Sequence, residues 1–502
     1  MTVSERRRGA SGPGPWIVLL VVALVPAVAL FAIMSWSSNQ QDDNEAAPPV
    51  DGGVDGGVDE GVTVPAPSPA LTTALMTLRR MPTVVSRDVN VAAFVGEVNP
   101  FLGSLNESSC AVVSVDGELV GEHNPEIAVI PASNQKIPVA AAALEQLGED
   151  FRYTTTVVAA EEPAGGVLAG NLYLVGGGDP LLSSDWYPAS NLDRFPVTSP
   201  TSLDALADSV VAAGVQRVSG DVVGDGSRYD DEFYAPGWGV GVQGLEGGPY
   251  DALLVNDARV LGDDLRAADP NEGGAREFRR LLEERGVTVA GGAVSGTAPS
   301  DAVEIASIDS APMSDVVGEM LVNSDNNTAE LVVKELGFQQ GGAGTREAGI
   351  AVVRELLVAW GVDDTLIVLA DGSGLSLDNR LTCDALITVL QRSGFDSPIG
   401  AGLPVAGESG TLSDAFADHA VAGRLRGKTG TLNNPPFNVD PPAVKALAGY
   451  LPVDGGGAVE YVLVLNGPTI SDQSEYRPIW SALADTLDTY PAGPSPATIG
   501  PR

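Results

Sequence analysis

The apolar residues of this chain form runs of three kinds, and each kind predicts a different element. An uncharged run of 21 residues, 16–36, is long enough to span a bilayer. Shorter runs bounded by turns are typical of strands, as at 110–115 and 118–120, which predict a β-hairpin. The run 139–144 follows Ser133 and predicts a helix that begins near that serine.

Further along, the pattern changes twice. Residues 161–305 combine short strands with turns rich in glycine, proline and aspartate, and we interpret them as an inserted domain. We expect strands at 153–159, 171–175, 217–223, 424–431, 446–451 and 461–465, and helices at 203–213, 275–285, 313–337, 382–393 and 473–489. This order predicts a mixed α/β fold in which an antiparallel sheet is flanked by helices. The catalytic domain would then consist of residues 71–160 and 306–490.

The first 70 residues have a composition of their own. Three arginines lie within 1–15 and acids follow the apolar run, so we expect 1–15 to be a cytoplasmic stub and 16–36 a single-pass transmembrane anchor. A cleaved signal peptide is the alternative. Residues 37–70 hold seven acids and no bases, which is typical of a disordered acidic linker. Residues 491–502 are expected to form a flexible tail.

Charge and cysteine content narrow the possible functions. The formal net charge of −38 argues against nucleic acids and anionic lipid surfaces as partners, so membrane contact would come only through the N-terminal helix. The two cysteines, Cys110 and Cys383, lie on the part expected outside the membrane, where a disulfide is permitted. The sequence leaves open whether they are bonded.

Candidate chemistry begins at Ser133 and Lys136. A spacing of three places both on one face of a helix, so the lysine amine can reach the serine hydroxyl. A desolvated amine with a lowered pKa can take the serine proton, and the helix N-terminus favours a developing oxyanion. One Ser-x-x-Lys is a weak signal. However, only four of the 28 Lys and Arg residues are lysines, which makes a chance occurrence of this motif rarer.

Two further motifs follow in order: Ser324-Asp325-Asn326 and Lys428-Thr429-Gly430. The three motifs together are those of penicillin-binding proteins and class A β-lactamases, and their joint occurrence outweighs separate explanations such as a helix cap at Ser324. Histidine-based or zinc-based hydrolysis is disfavoured, because the only histidines are His123 and His419 and no Gly-x-Ser-x-Gly or His-Glu-x-x-His motif is present. No cofactor is implied.

These motifs predict a division of labour. Ser133 would attack an acyl carbon while Lys136 accepts its proton, and Ser324 would pass a proton to the leaving amine. Asn326 would orient Lys136 and the substrate amide. The predicted substrate-binding residues are Lys428 and Thr429 for a C-terminal carboxylate, Gly430 for close approach of the peptide, and Thr431, whose N–H would complete the oxyanion hole with that of Ser133.

The chain resembles the D-alanyl-D-alanine carboxypeptidase/endopeptidase family, peptidase family S13, the class C low-molecular-mass penicillin-binding proteins. The resemblance covers about residues 75–490 and extends to further blocks at 131–148, 172–180, 326–330, 371–376 and 403–412. It implies a penicillin-binding-protein/β-lactamase-like transpeptidase fold with an inserted smaller domain. The implied substrates are peptidoglycan stem peptides ending in D-Ala-D-Ala, and the implied covalent inhibitors are β-lactams.

Two departures from the family pattern qualify this expectation. The interval between Lys136 and Ser324 is short for members with two inserted domains. A proline-rich insertion, 433–442, enlarges the turn after Lys428-Thr429-Gly430, and we hypothesise that it borders the cleft and narrows substrate choice. The alternatives are a β-lactamase of the same fold, a penicillin sensor and a non-catalytic cell-wall scaffold.

Overall fold

The computed structural model describes residues 81–499, apart from 191, 193–195, 240, 433–442, 455, 468, 469 and 471. The helices in these residues are α1 (Met81–Leu102), α2 (Lys136–Gln146), α3 (Leu203–Ala212), α4 (Pro270–Glu284), α5 (Met313–Val322), α6 (Asn326–Gln339), α7 (Arg346–Ala359), α8 (Cys383–Ser393), α9 (Pro398–Gly402), α10 (Gln473–Leu487) and α11 (Pro496–Ile499).

The strands, in chain order, are β1 (Cys110–Val115), β2 (Glu118–His123), β3 (Thr154–Ala159), β4 (Val167–Leu168), β5 (Leu172–Val175), β6 (Leu182–Ser183), β7 (Thr201–Ser202), β8 (Arg217–Val218), β9 (Val222–Asp225), β10 (Thr288–Val289), β11 (Ala293–Ser295), β12 (Val303–Asp309), β13 (Arg426–Leu432), β14 (Ala443–Pro452) and β15 (Ala458–Gly467). The mixed α/β class predicted from the sequence is confirmed.

The main sheet has five strands in the order β13-β14-β15-β1-β2, and every neighbouring pair is antiparallel. All ten residues of β15 are buried, because helices cover both faces of the sheet. One face packs against α1 and α10, and the other against a helical layer that includes α2, α6 and α8. β13 forms one edge of this sheet. Pro404 and Val405 bond this edge at Gly427 and Arg426, so the part left for a ligand is residues 428–432.

The segment from β3 to β12 forms a second sheet of five strands, in the order β11-β9-β5-β3-β12. Its core consists mainly of leucine and valine side chains that pack beneath α3 and α4. The boundaries at 160 and 305 stay a prediction. β3 ends just before the first boundary, and it pairs in this sheet with β12, which crosses the second.

A disulfide joins Cys110, the first residue of β1, to Cys383, the first residue of α8. It connects the main sheet to the helical layer across 273 positions of sequence. The pairing that the sequence left open is therefore present.

The structure differs from the sequence expectation in the helical middle of the chain. The pattern over 313–337 predicts one helix, but α5 ends at Val322 and α6 begins at Asn326. Ser324, between them, has a left-handed backbone with φ of 60°, and Asp325 caps α6 by accepting from the N–H of Thr328 at 2.6 Å. A helix cannot run through a left-handed serine, so the chain turns there.

Several predicted segments, at the two ends of the chain and in one insertion, differ from the expectation or lie outside the described residues. Among the described residues, no helix has the length and apolar character needed to cross a bilayer, so we correct the predicted single-pass membrane location. The predicted stub, anchor and linker (1–70) and the insertion 433–442 lie outside the described residues. The stretch 491–502, predicted to be a flexible tail, contains α11, and the Pro494 carbonyl accepts from Ser86 of α1 at 2.6 Å.

Candidate active site

Ser133 and Lys136 lie where the chain enters α2. Ser133 is in a 3₁₀ turn, Ala132–Gln135, and Lys136 is the first residue of the α-helix, so the predicted helix begins in effect with this turn. The Lys136 amine donates to Ser133 Oγ at 3.2 Å, to Asn326 Oδ1 at 2.7 Å and to the Ser373 carbonyl at 2.7 Å. These three acceptors match the three donors of an ammonium group.

The surroundings of Lys136 prepare it to act as a base. Its side chain is fully buried, and this burial lowers its pKa from 10.5 to about 8. The carboxylates of Asp325, Asp371 and Glu330 oppose the shift, because they favour the charged ammonium. A neutral amine that can accept the Ser133 proton is thus accessible near neutral pH.

A second serine–lysine pair faces the first. Lys428, on β13, donates to Ser324 Oγ at 2.8 Å and to the Thr429 carbonyl at 2.8 Å. Lys428 is fully buried, and its pKa is lowered well below the usual value by burial and by the positive charge of Lys136. The left-handed backbone of Ser324 directs its hydroxyl toward this lysine rather than along a helix.

Both pairs border a cavity of about 410 Å³. Ser133, Ser324 and Asn326 line its floor, and Thr429 and Thr431 of β13 line one wall. The cavity also receives residues from distant parts of the chain: Leu245, Glu246, Asp257, Arg266, Glu319, Asn323, Asp325 and Thr411. The structure therefore brings together all three sequence motifs around one space.

Gly430 explains how β13 comes so close to the nucleophile. A Cβ added at Gly430 would lie 2.9 Å from the Pro131 carbonyl oxygen and 3.1 Å from the Ala132 Cβ. Any side chain here would push the strand away from the Ser133 turn. Ala132 itself has a left-handed φ of 48°, a conformation that non-glycine residues adopt at a cost of about 1–3 kcal/mol.

Glu330 is a site residue that the motifs do not reveal. It lies one helical turn after Asn326 and accepts from the N–H groups of Gly372 at 3.1 Å and Ser373 at 2.7 Å. These bonds hold the loop whose Ser373 carbonyl contacts Lys136. Burial, and then the neighbouring Asp371, raise the pKa of Glu330 to about 7. Two signals in the sequence point to this placement: the spacing of four from Asn326 and the family block 326–330, which ends at Glu330.

The segment 161–305 also contributes to the site, although its sequence shows no catalytic constellation. The Asn326 amide donates to the Glu246 carbonyl at 2.7 Å, and the Gly248 N–H donates to Asn327 Oδ1 at 2.6 Å. Asn327 also bonds the Asp257 carboxylate, which is paired with Arg266. This segment contacts Asn326 through the backbone carbonyl of Glu246. Because every residue has such a carbonyl, the sequence could not have predicted the contact.

A buried lysine beside a serine, with a second serine–lysine pair across a cleft at the edge of an antiparallel sheet, defines a class: serine hydrolases that form an acyl-enzyme with lysine as the base. The D-Ala-D-Ala carboxypeptidase 3 (S13) family model matches residues 102–260 and 252–490. The chain belongs to this family.

Two relatives extend this match. The D-alanyl-D-alanine carboxypeptidase of Actinomadura sp. is 31% identical over 449 residues, which cover 72% of this chain and 79% of the relative. The carboxypeptidase DacB of Mycolicibacterium smegmatis is 29% identical over 489 residues, covering 92% and 95%.

Among solved structures, penicillin binding protein 4 from Haemophilus influenzae has a TM-score of 0.63 at 20% identity, covering 79% of this chain and 99% of that one. Its complex with a β-lactam has a TM-score of 0.57. At this identity the likeness establishes a shared fold, and the predicted penicillin-binding-protein fold is thereby confirmed.

Proposed function

We propose that this protein is a serine-type D-Ala-D-Ala carboxypeptidase/endopeptidase that hydrolyses peptidoglycan stem peptides through an acyl-enzyme on Ser133. The observation that carries the proposal is the three-way contact of the Lys136 amine with Ser133 Oγ, Asn326 Oδ1 and the Ser373 carbonyl. Membership of the S13 family and the relatives named as carboxypeptidases support the same activity.

In the proposed acylation, neutral Lys136 takes the proton of Ser133 as its Oγ attacks the carbonyl carbon of the penultimate D-alanine. The oxyanion forms beside the N–H groups of Ser133 and Thr431. Collapse of the tetrahedral intermediate breaks the C–N bond, and the leaving amine receives a proton from Ser324, whose hydroxyl is in contact with Lys428. Asn326 keeps the Lys136 amine in place throughout.

Deacylation reverses these roles. A water molecule replaces the departed D-alanine, gives its proton to the lysine–serine network and attacks the ester carbon of the acyl-enzyme. Thr429 and Gly430 hold the peptide along the open edge of β13, where main-chain hydrogen bonds are available to an extended ligand. A β-lactam would occupy the same cleft and acylate Ser133, in agreement with the β-lactam complex of the Haemophilus structure.

The test compares the full chain with its Ser133→Ala variant. Each is incubated with a labelled penicillin and with a pentapeptide ending in D-Ala-D-Ala. We expect a covalent adduct and released D-alanine from the parent, and neither from the variant. Ser209→Ala is a matched control, because Ser209 is exposed on α3 and its hydroxyl donates to the Ala205 carbonyl of its own helix.

Each other outcome has a distinct meaning. A covalent adduct without released D-alanine would contradict the carboxypeptidase activity. It would favour a penicillin sensor or an endopeptidase with other substrates. Rapid turnover of the penicillin adduct would favour a β-lactamase of the same fold. Absence of any adduct would reject the acyl-enzyme mechanism and favour the scaffold alternative.

A further inference from the structure

One wall of the cleft is built from hydroxyl groups. Thr429 and Thr431, two positions apart, lie on the same face of β13, and Thr411 joins them from the turn Gly410–Leu412. The Thr429 hydroxyl donates to Thr411 Oγ1 at 2.8 Å, which leaves the Thr411 proton for another acceptor. The wall therefore offers hydrogen-bond donors to a ligand in the cavity.

Thr431 is polarised from behind by a third lysine. Lys445 lies opposite Thr431 in the register of β13 and β14, and its amine donates to Thr431 Oγ1 at 2.6 Å. Since that oxygen accepts from the lysine and Thr431 lines the cavity, the hydroxyl can donate its own proton to a ligand there. A hydroxyl polarised by an ammonium is a stronger donor to an anion than an isolated one.

The position of Lys445 is fixed by aromatic rings. Its amine lies 4.3 Å from the centroid of the Tyr476 ring and 5.4 Å from that of Trp480, both on α10. Such cation–π contacts hold the ammonium without neutralising it. Within the described part of the chain, Lys334 is paired with Asp230, whereas Lys445 forms no ion pair. Burial and the positive charge of Arg477 lower the pKa of Lys445 to about 8, so below that pH its charge remains available to the cleft.

The other cations near the cleft are already engaged. Lys428 is buried and bonded to Ser324 and to its neighbour's carbonyl, and Arg266 is paired with Asp257. Several lining residues are acidic and would repel an anionic ligand, namely Glu246, Asp257, Glu319 and Asp325. A carboxylate is therefore accommodated best at the threonine wall, within reach of the Lys445 charge.

We propose that Lys445, acting through Thr431, is a specificity-determining residue that selects substrates whose leaving residue carries a carboxylate. The inference rests on the proposed function. It identifies the Lys445 ammonium as the charge that distinguishes a substrate with a free carboxylate from one with an uncharged end group. In this arrangement Lys428 serves proton transfer at Ser324, and Lys445 serves recognition.

Two thioesters of N-acyl-D-alanine test this assignment, with mercaptoacetate or mercaptoacetamide as the leaving group. They differ in the charge of the leaving group and, as a result, in the acidity of the leaving thiol. Comparing each ester between parent and variant cancels this difference in intrinsic reactivity, and thioesters are reactive enough for both to be hydrolysed. For Lys445→Met we expect kcat/KM for the mercaptoacetate thioester to fall about tenfold or more, because a hydrogen bond to a charged group is lost. The kcat/KM for the mercaptoacetamide thioester should change less than about twofold.

Two variants serve as controls. Lys445→Arg keeps a cation at this place and should restore most of the preference for the charged ester. Arg354→Met removes one exposed positive charge from α7, where Arg354 is paired with Asp364 and does not line the cavity, and it should leave the ratio between the two esters unchanged.

Equal loss of activity on both esters in Lys445→Met would overturn the proposal and reduce Lys445 to a structural role. An unchanged ratio in that variant would overturn it as well. Failure of the proposed function is distinguishable, because the parent would then either hydrolyse neither ester or hydrolyse both of them independently of Ser133.

Discussion

At the scale of single residues, the site depends on where protons are held. Ser133 and Ser324 each contact a buried lysine, and burial lowers the pKa of both lysines. The two amines also repel each other's positive charge. One positive charge shared between two lysines is easier to bury than two, which suits a site that moves a single proton between two hydroxyl groups.

In the proposed mechanism Lys136 acts as a base only when it is neutral, so the acylation rate should rise with pH up to its pKa of about 8 and then level off. The Glu330 carboxylate favours the charged amine, so Glu330→Gln should move this rise to lower pH. The plateau rate should also fall roughly tenfold, since the loop that carries the Ser373 carbonyl loses an acceptor. Penicillin acylation, followed by stopped flow across pH 5–10, measures both effects.

Glu335→Gln is the matched control, because Glu335 is equally buried on α6 but pairs with Arg228. It should lower stability and leave the position of the pH profile unchanged. If Glu330→Gln leaves the profile where it is in the parent, the carboxylate does not act on Lys136.

At the scale of elements, the nucleophile depends on the junction of two layers. The Ser133 turn is held between β13, through Gly430, and the loop 371–376, where Gly374 has a φ of 86° and no room for a side chain beside the Ala132 carbonyl. The disulfide between β1 and α8 joins the same two layers at another point. The geometry of the site therefore requires that sheet and helices stay in register.

Replacing both cysteines by serine should lower the free energy of unfolding by about 2–5 kcal/mol, because the cross-link restricts the unfolded chain over a long loop. Denaturant unfolding of the parent and of Cys110→Ser/Cys383→Ser measures the difference. A reductant should destabilise the parent alone. Free thiols in the denatured parent without reductant would show that the bond is absent in solution.

At the scale of the whole molecule, charge is the dominant property. A net charge of −38 on 502 residues means that acidic groups repel one another over most of the surface. The cationic groups of the cleft are thus set in an anionic surrounding. A carboxylate is therefore attracted to the threonine wall beside Lys445, whereas anionic polymers are repelled by the rest of the surface.

Raising the NaCl concentration should therefore stabilise the full chain, because the Debye length falls from about 30 Å at 0.01 M to about 8 Å at 0.15 M and repulsion is screened. We expect the midpoint of thermal unfolding to rise by a few degrees, as measured by calorimetry, and KCl should act like NaCl. A lower midpoint would mean that attractive pairs such as Arg346–Glu232 outweigh the repulsion.

The sequence was sufficient for those parts of the site that depend on local spacing. Ser133 and Lys136 are neighbours because a helical turn places them so, and Lys428 lies on a strand close to the one expected at 424–431. Glu246, Thr411 and Lys445 could not be found in this way. They reach the cleft through a backbone carbonyl, a 3₁₀ turn and the register of β13 with β14, which depend on tertiary packing. The break at Ser324 was missed because apolar periodicity continues on both sides of it.

The distribution of the four lysines has a practical consequence. Lys136 and Lys428 are buried in the cleft and Lys334 is buried against Asp230, whereas Lys445 is partly exposed with a pKa of about 8. An amine-selective acylating dye used at mildly alkaline pH would therefore modify Lys445 ahead of the other three side chains. Acylation also removes the Lys445 charge, so the labelled protein should lose the same preference between the two thioesters as Lys445→Met.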